Sequence, residues 1–116
     1  MRFTIERVDN IAIFTLKRPN LDSEISAKLK AELLILCQPD LEALIFDLSE
    51  VEYVDSTGLG ALLLANRQLR DYETPIILVG AHDIVMKMLS ISQLDEIFDY
   101  SDSVEEALAK LGKDKS

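Results

Sequence analysis

One cysteine and one histidine are all that this chain offers for thiol or soft-metal chemistry. A lone Cys37 forms no internal disulfide and cannot furnish a cysteine-based zinc site. It closes the apolar run Leu33-Leu34-Ile35-Leu36-Cys37 with no neighbour in sequence that would lower its pKa, so a buried structural thiol is expected. No apolar run approaches the roughly eighteen residues of a membrane span. The opening Met1-Arg2-Phe3-Thr4-Ile5-Glu6 alternates and carries an acid early, unlike a signal peptide. A soluble, cytoplasmic protein with no direct membrane insertion is the expectation. Basic residues are also scarce. Twelve lysines and arginines face 21 acids, for a net charge of −9, and they are scattered with no basic stripe. That disfavours DNA or RNA as a partner. An acidic surface suits solubility and a basic patch on another protein.

What is present fits one globular domain. The length of 116 residues and an apolar content of 48% suffice for one core. Phe3, Ile5 and Val8, then Ile11, Ile13, Phe14 and Leu16 after the turn pair Asp9-Asn10, predict a β-hairpin. Lys17-Arg18-Pro19-Asn20 stops the second strand. Asp22 or Ser23 can cap a first helix, with Ile25, Leu29, Leu33 and Leu36 on one face and Gln38-Pro39-Asp40 ending it. Residues 43–48 read as a strand buried on both faces. A second helix runs from Ser56 or Thr57 to Arg70, with Leu59, Leu62, Leu63, Asn66 and Leu69 along one side. Gly60 inside it suggests close packing or backbone access. Ile76–Val79 is another strand and Gly80 ends it. A third helix fits Asp83 to Ile91, with Ile84, Met88 and Ile91 or Leu89 inward. Ile97-Phe98 makes a short last strand. Asp102 or Ser103 caps a final helix, with Val104, Ala107, Leu108 and Leu111 on one face and Glu106 completing a capping box. The order β-β-α-β-α-β-α-β-α implies an α/β fold with a mixed, mostly parallel sheet. In such sheets functional loops gather at the carboxyl ends of strands, here 19–23 and 49–57.

The second of these loops ends in Val54-Asp55-Ser56-Thr57-Gly58-Leu59-Gly60, a hydroxyl pair at or beside a helix N-terminus. Free N–H groups and the helix dipole favour an anion there. Ser56 could be a plain cap, an anion ligand or a phosphorylation site. A nucleophile elbow needs glycine where Val54 stands, and His82, beyond a strand, reads as a surface or capping residue. Gly58-Leu59-Gly60 lacks the third glycine of a dinucleotide loop and the lysine of a P-loop. The acids Asp22, Asp47, Glu50, Glu52 and Asp55 match no metal-ligand spacing, so neither metal nor cofactor is expected. Asp47 at a strand end suggests a receiver domain, but the acidic pair and the lysine that such chemistry requires are missing. For an isolated Asp-Ser-Thr-Gly, the residues alone favour a plain N-cap.

Asp47-Leu48-Ser49-Glu50-Val51-Glu52-Tyr53-Val54-Asp55-Ser56-Thr57-Gly58-Leu59-Gly60 resembles the signature of bacterial STAS domains, specifically the anti-sigma factor antagonists. The resemblance extends over the opening hairpin, the Asn20-Leu21-Asp22 turn, Pro75–Gly80 and the late acidic helix. It implies a STAS domain over 1–112 with a flexible tail at 113–116. It implies a non-enzymatic protein whose unphosphorylated form binds an anti-sigma factor that is also a serine kinase, and so frees the sigma factor. Ser56 matches the phosphorylated serine, Thr57 is a second candidate acceptor, and a serine phosphatase resets the cycle. Asp22 and Asp55 match partner-contact acids, within a surface of Asp22, Asp55, Ser56, Thr57 and Gly58. Asn20 stands where many members have glycine; asparagine also tolerates positive φ. Other members of the family are scaffold subunits of signalling complexes or of membrane lipid transporters, which is the alternative. A phosphate on Ser56 would carry about −1.5 to −2 charges. The helix end offsets roughly 0.3–2 kcal/mol of its cost. A partner acid about 6 Å away would repel a dianion by roughly 5 kcal/mol at an effective dielectric near ~20. That is more than about a thousandfold in affinity.

Overall fold

The hairpin forms where the alternation places it. In the computed structural model, which describes residues 3–113, β1 (Phe3–Val8) and β2 (Ile11–Leu16) pair antiparallel from Phe3↔Leu16 to Val8↔Ile11. Asp9 turns the chain at φ 55°, a left-handed conformation that aspartate tolerates better than most residues. The elements that follow are β3 (Asn20–Leu21), α1 (Ser23–Leu36), β4 (Ala43–Asp47), β5 (Tyr53–Val54), α2 (Ser56–Leu69), a 3-10 turn at Arg70–Tyr72, β6 (Ile76–Val79), α3 (Asp83–Ile91), β7 (Asp99–Ser101) and α4 (Val104–Lys110). Five strands make one sheet in the order β1-β2-β4-β6-β7, parallel everywhere beyond the hairpin. This is the mixed, mostly parallel α/β architecture expected from the element order.

The two faces of the sheet are unequal. Phe14, Leu16, Leu44, Phe46 and Leu78 point into a large core completed by α1, α2 and α3. Ile11, Ile13, Ala43, Ile45, Ile77 and Val79 point the other way, against Ala107 and Leu108 of α4. Strand β4, central and covered on both sides, therefore reads as an unbroken apolar run. Cys37 lies in the large core at 4% exposure and caps α1, and burial pushes its thiol up to about 11.

Several expectations need correcting. Two short strands, β3 and β5, join the predicted order and form a second, parallel sheet of their own. At two residues each they carry no readable period; only their pairing defines them. The last strand is Asp99–Ser101 rather than Ile97-Phe98. Phe98 is buried just ahead of it and Ile97 is 41% exposed, so apolarity marked the approach to the strand and the β6 ladder fixes the strand itself. On α3 the buried residues are Val85 and Leu89, whereas Ile84 and Ile91 are 51% and 68% exposed and Met88 is half-buried. That helix is apolar nearly all round, so spacing cannot choose its inner face. On α2, Ala61 and Ala65 are buried along with Leu59, Leu62 and Leu69, while Leu63 and Asn66 are half-buried. The tight glycine of α2 is Gly58 and not Gly60, whose added Cβ would meet only the end of Lys30 at 3.5 Å. On α1, Leu36 is half-buried beside the buried Ile25, Leu29 and Leu33. The expected tail falls largely at 114–116, outside the described residues.

Candidate functional site

The loops after β2 and β4 leave the same end of the sheet and are fastened together. Asn20 pairs with Tyr53 and Leu21 with Val54. Pro19 O accepts from Glu52 N at 2.7 Å and from Tyr53 N at 3.0 Å, and Leu21 O accepts from Asp55 N at 3.1 Å. Leu21 and Val54 are fully buried, which roots this short ladder in the core. Asn20 is an ordinary strand residue here, and the left-handed conformation that asparagine could have supplied is not used. Behind the second loop, Asp47 Oδ1 accepts from both Ser49 N and Ser49 Oγ, and Gly80 at φ 68° packs against Ser49 where a Cβ would meet its Cβ at 2.8 Å.

The ladder joins the entries to α1 and α2, and each helix is capped by an aspartate. Asp22 Oδ1 accepts from Glu24 N at 3.0 Å at the start of α1. Asp55 Oδ1 accepts from Gly58 N at 2.9 Å and from Thr57 Oγ1 at 2.6 Å at the start of α2. The Thr57 hydroxyl, followed by the Gly58 N–H, holds the Asp55 carboxyl below the usual carboxylate range and so keeps it charged.

These bonds separate the two hydroxyls. Asp55 is the N-cap, so Ser56 is the first residue of the helix and not its cap. Ser56 is exposed, and among the described residues its hydroxyl has no hydrogen-bond partner. Thr57 is half-buried with its hydroxyl already donating to Asp55. Gly58 is buried against Leu21, whose carbonyl oxygen would lie 2.2 Å from an added Cβ. Glycine lets the first turn of α2 sit on β3, so its part in the site is close approach of backbone to backbone.

Three further residues at this end were not among the expected site residues. Arg18 is only 8% exposed and places Nη2 3.3 Å from Asp22 Oδ1 and 3.4 Å from Glu24 Oε2. An arginine in a loop four residues before an aspartate carries no signal, because that spacing means contact only within a helix. Tyr53 and Ile84 are exposed large side chains beside the ladder and at the start of α3. Next to them Lys17, Arg18, Pro19, Glu50, His82 and Ile84 help line an open cleft of about 690 Å³. His82 is half exposed, 3.5 Å from Asp83, and makes no capping hydrogen bond. Among the described residues, no group of three His, Cys, Asp or Glu is placed to hold a metal ion, and no helix is long and apolar enough to cross a membrane.

Known proteins resemble this chain in sequence and in fold. A model of the STAS domain matches residues 2–107. The chain is similar to the anti-sigma-B factor antagonist of Listeria monocytogenes, with 32% identity over 91 residues, 78% of each chain. In fold it resembles the anti-sigma factor antagonist SpoIIAA in its unphosphorylated form, at a TM-score of 0.82 and 21% identity over 95% of this chain and 96% of that one. It also resembles the Bacillus cell fate determinant SpoIIAA in its phosphorylated form, at 0.76 and 22% over 94% and 98%.

Proposed function

The chain belongs to the STAS domain family and, within it, to the anti-sigma factor antagonists, and on that premise we propose that it is a binding protein switched by phosphorylation of Ser56. Unphosphorylated, it engages an anti-sigma factor serine kinase through Asp22, Asp55, Ser56, Thr57 and Gly58, and the sigma factor is released. Phosphorylated, it lets go, and a serine phosphatase restores it. The chain performs no catalysis; Ser56 is a substrate for the partner's active site.

One observation carries this reading: at the head of α2 the cap is Asp55, the Thr57 hydroxyl is bonded to it, and the exposed Ser56 hydroxyl is left over. The Thr57 hydroxyl would have to give up its bond to Asp55 to accept a phosphoryl group, and Ser56 has none to give up. The group added there sits at a helix N-terminus, which tolerates negative charge, so the fold can keep its shape while the surface changes sign. SpoIIAA, whose fold this chain shares, has both a phosphorylated and an unphosphorylated structure, which is compatible with a domain that survives modification.

The test is to recover the anti-sigma factor from the source cell on immobilised Ser56→Ala chain, incubate it with wild-type chain and ATP, and map the phosphate by mass spectrometry. Phosphate is expected on Ser56 and not on Thr57. Ser56→Ala should bind the recovered kinase like the wild type, and Ser56→Asp should bind it more weakly. Phosphate elsewhere, or equal binding by the two variants, refutes the switch.

A further inference from the structure

Arg18 is a buried charge that partner binding at Ser56 does not by itself require. Its side chain is 8% exposed, and Nε is buried without a hydrogen-bond partner among the described residues. Apolar residues of similar volume commonly replace buried ion pairs at no loss of stability, so an arginine with a spare donor is a poor choice for a buried loop position. Its effect falls on Asp22. Two donors converge on the same carboxylate oxygen: Glu24 N at 3.0 Å and Arg18 Nη2 at 3.3 Å, both to Oδ1. Among the described residues Oδ2 accepts nothing, and the Asp22 side chain keeps 23% of its exposure. The second contact of Nη2, to Glu24, reaches a carboxylate that is 74% exposed and is a weaker competitor for the guanidinium.

We propose that Arg18 is a positioning residue, which with the α1 cap clamps Oδ1 of Asp22 and holds Oδ2 out in one orientation for a hydrogen-bond donor on the partner. This rests on the reading of Asp22 as a partner contact. The cap alone holds the carboxylate by one bond and leaves the side chain able to swing between rotamers; a planar guanidinium adds a second direction and little freedom of its own. An acceptor fixed before the encounter loses less rotamer freedom on binding than a swinging one.

Two measurements test it. The first needs no partner: side-chain coupling constants of Asp22 by NMR in the wild type, Arg18→Met and Arg18→Lys. One rotamer is expected in the wild type, averaging in Arg18→Met and partial restoration in Arg18→Lys. A single rotamer in Arg18→Met overturns the proposal, and if that variant does not fold, Arg18→Lys must show averaging against the wild type. The second is affinity for the anti-sigma factor recovered on the Ser56→Ala chain. Arg18→Met and Asp22→Asn are each expected to weaken binding about tenfold, with the double variant no weaker than Asp22→Asn alone. Losses that multiply in the double variant, or wild-type affinity in Arg18→Met or in Asp22→Asn, overturn it. Ser56→Asp belongs in the same assay. Weak binding by Ser56→Asp with tight binding by Arg18→Met removes Arg18 and leaves the switch standing. Tight binding by Ser56→Asp removes the switch, and the rotamer measurement still decides the clamp.

Discussion

Replacing Gly58 with alanine adds one methyl group at the most crowded backbone position of the site. The new Cβ would lie 2.2 Å from Leu21 O, 2.8 Å from Leu21 Cγ and 2.9 Å from Leu21 C. The carbonyl cannot swing away, because it accepts from Asp55 N at 3.1 Å and belongs to the β3–β5 ladder. Separating α2 from β3 to an ordinary contact takes about 1 Å of movement. Overpacking of this kind costs about 1–3 kcal/mol. Stretching the Asp55 N–H bond to Leu21 adds about 0.5–1.5 kcal/mol. Alanine returns about 1 kcal/mol of helix propensity. The balance is a loss of about 2 kcal/mol, and at about 4 °C per kcal/mol for a domain of this size the melting temperature should fall by about 8 °C. Gly60→Ala is the control: two positions further along the same helix, its Cβ meets nothing closer than Lys30 Nζ at 3.5 Å. It should gain about 1 kcal/mol and melt about 4 °C higher. Thermal unfolding followed by circular dichroism, with urea titrations for the free energies, reads both. Gly58→Ala melting at or above the wild type would refute the close approach of α2 to Leu21, and an equal gain in both variants would show that helix propensity alone governs the two sites.

Asp55→Ala removes the cap of α2 and should cost about 1 kcal/mol in urea unfolding, with faster amide exchange at Gly58; an unchanged midpoint would place the cap elsewhere. Acid should act through the same carboxyl. Its folded pKa lies below the ordinary 3.8, so its contribution is complete above that value and is lost as the pH falls through the lower, folded one; Gly58 exchange, corrected for intrinsic rate, should accelerate only below about pH 4. Cys37, with its pKa pushed up to about 11, holds on the order of one thiolate in a thousand at pH 8 and should resist a thiol reagent in the native state yet react promptly in urea; fast native labelling would contradict its burial.

Much of this was legible because the signals are local. A cap is one side chain meeting an N–H two or three residues on, so spacing narrowed the caps to Asp22 or Ser23 and to Asp102 or Ser103, and the structure has Asp22 and Ser103 in place. Proline and glycine mark ends by their own backbone limits, as at Pro39 and Gly80. The β-hairpin, the central strand and the Asp-Ser-Thr-Gly corner follow from patterns of a few residues. Arg18 and Tyr53 were missed because a loop and a two-residue strand carry no readable period, and Ile84 was expected inward because α3 is apolar over most of its circumference.

By itself, then, the sequence determined the order of the helices and of the five main-sheet strands, the family, and a hydroxyl pair at the head of a helix. It could not say which residue caps that helix, because Asp55, Ser56 and Thr57 are all competent to do so. The tertiary structure decided it. Leu21 O anchors Asp55 N, the Asp55 carboxylate takes the Gly58 N–H and the Thr57 hydroxyl, and Ser56 is left exposed and unbonded. The anchor comes from a strand more than thirty residues away, so nothing within the motif could have shown it.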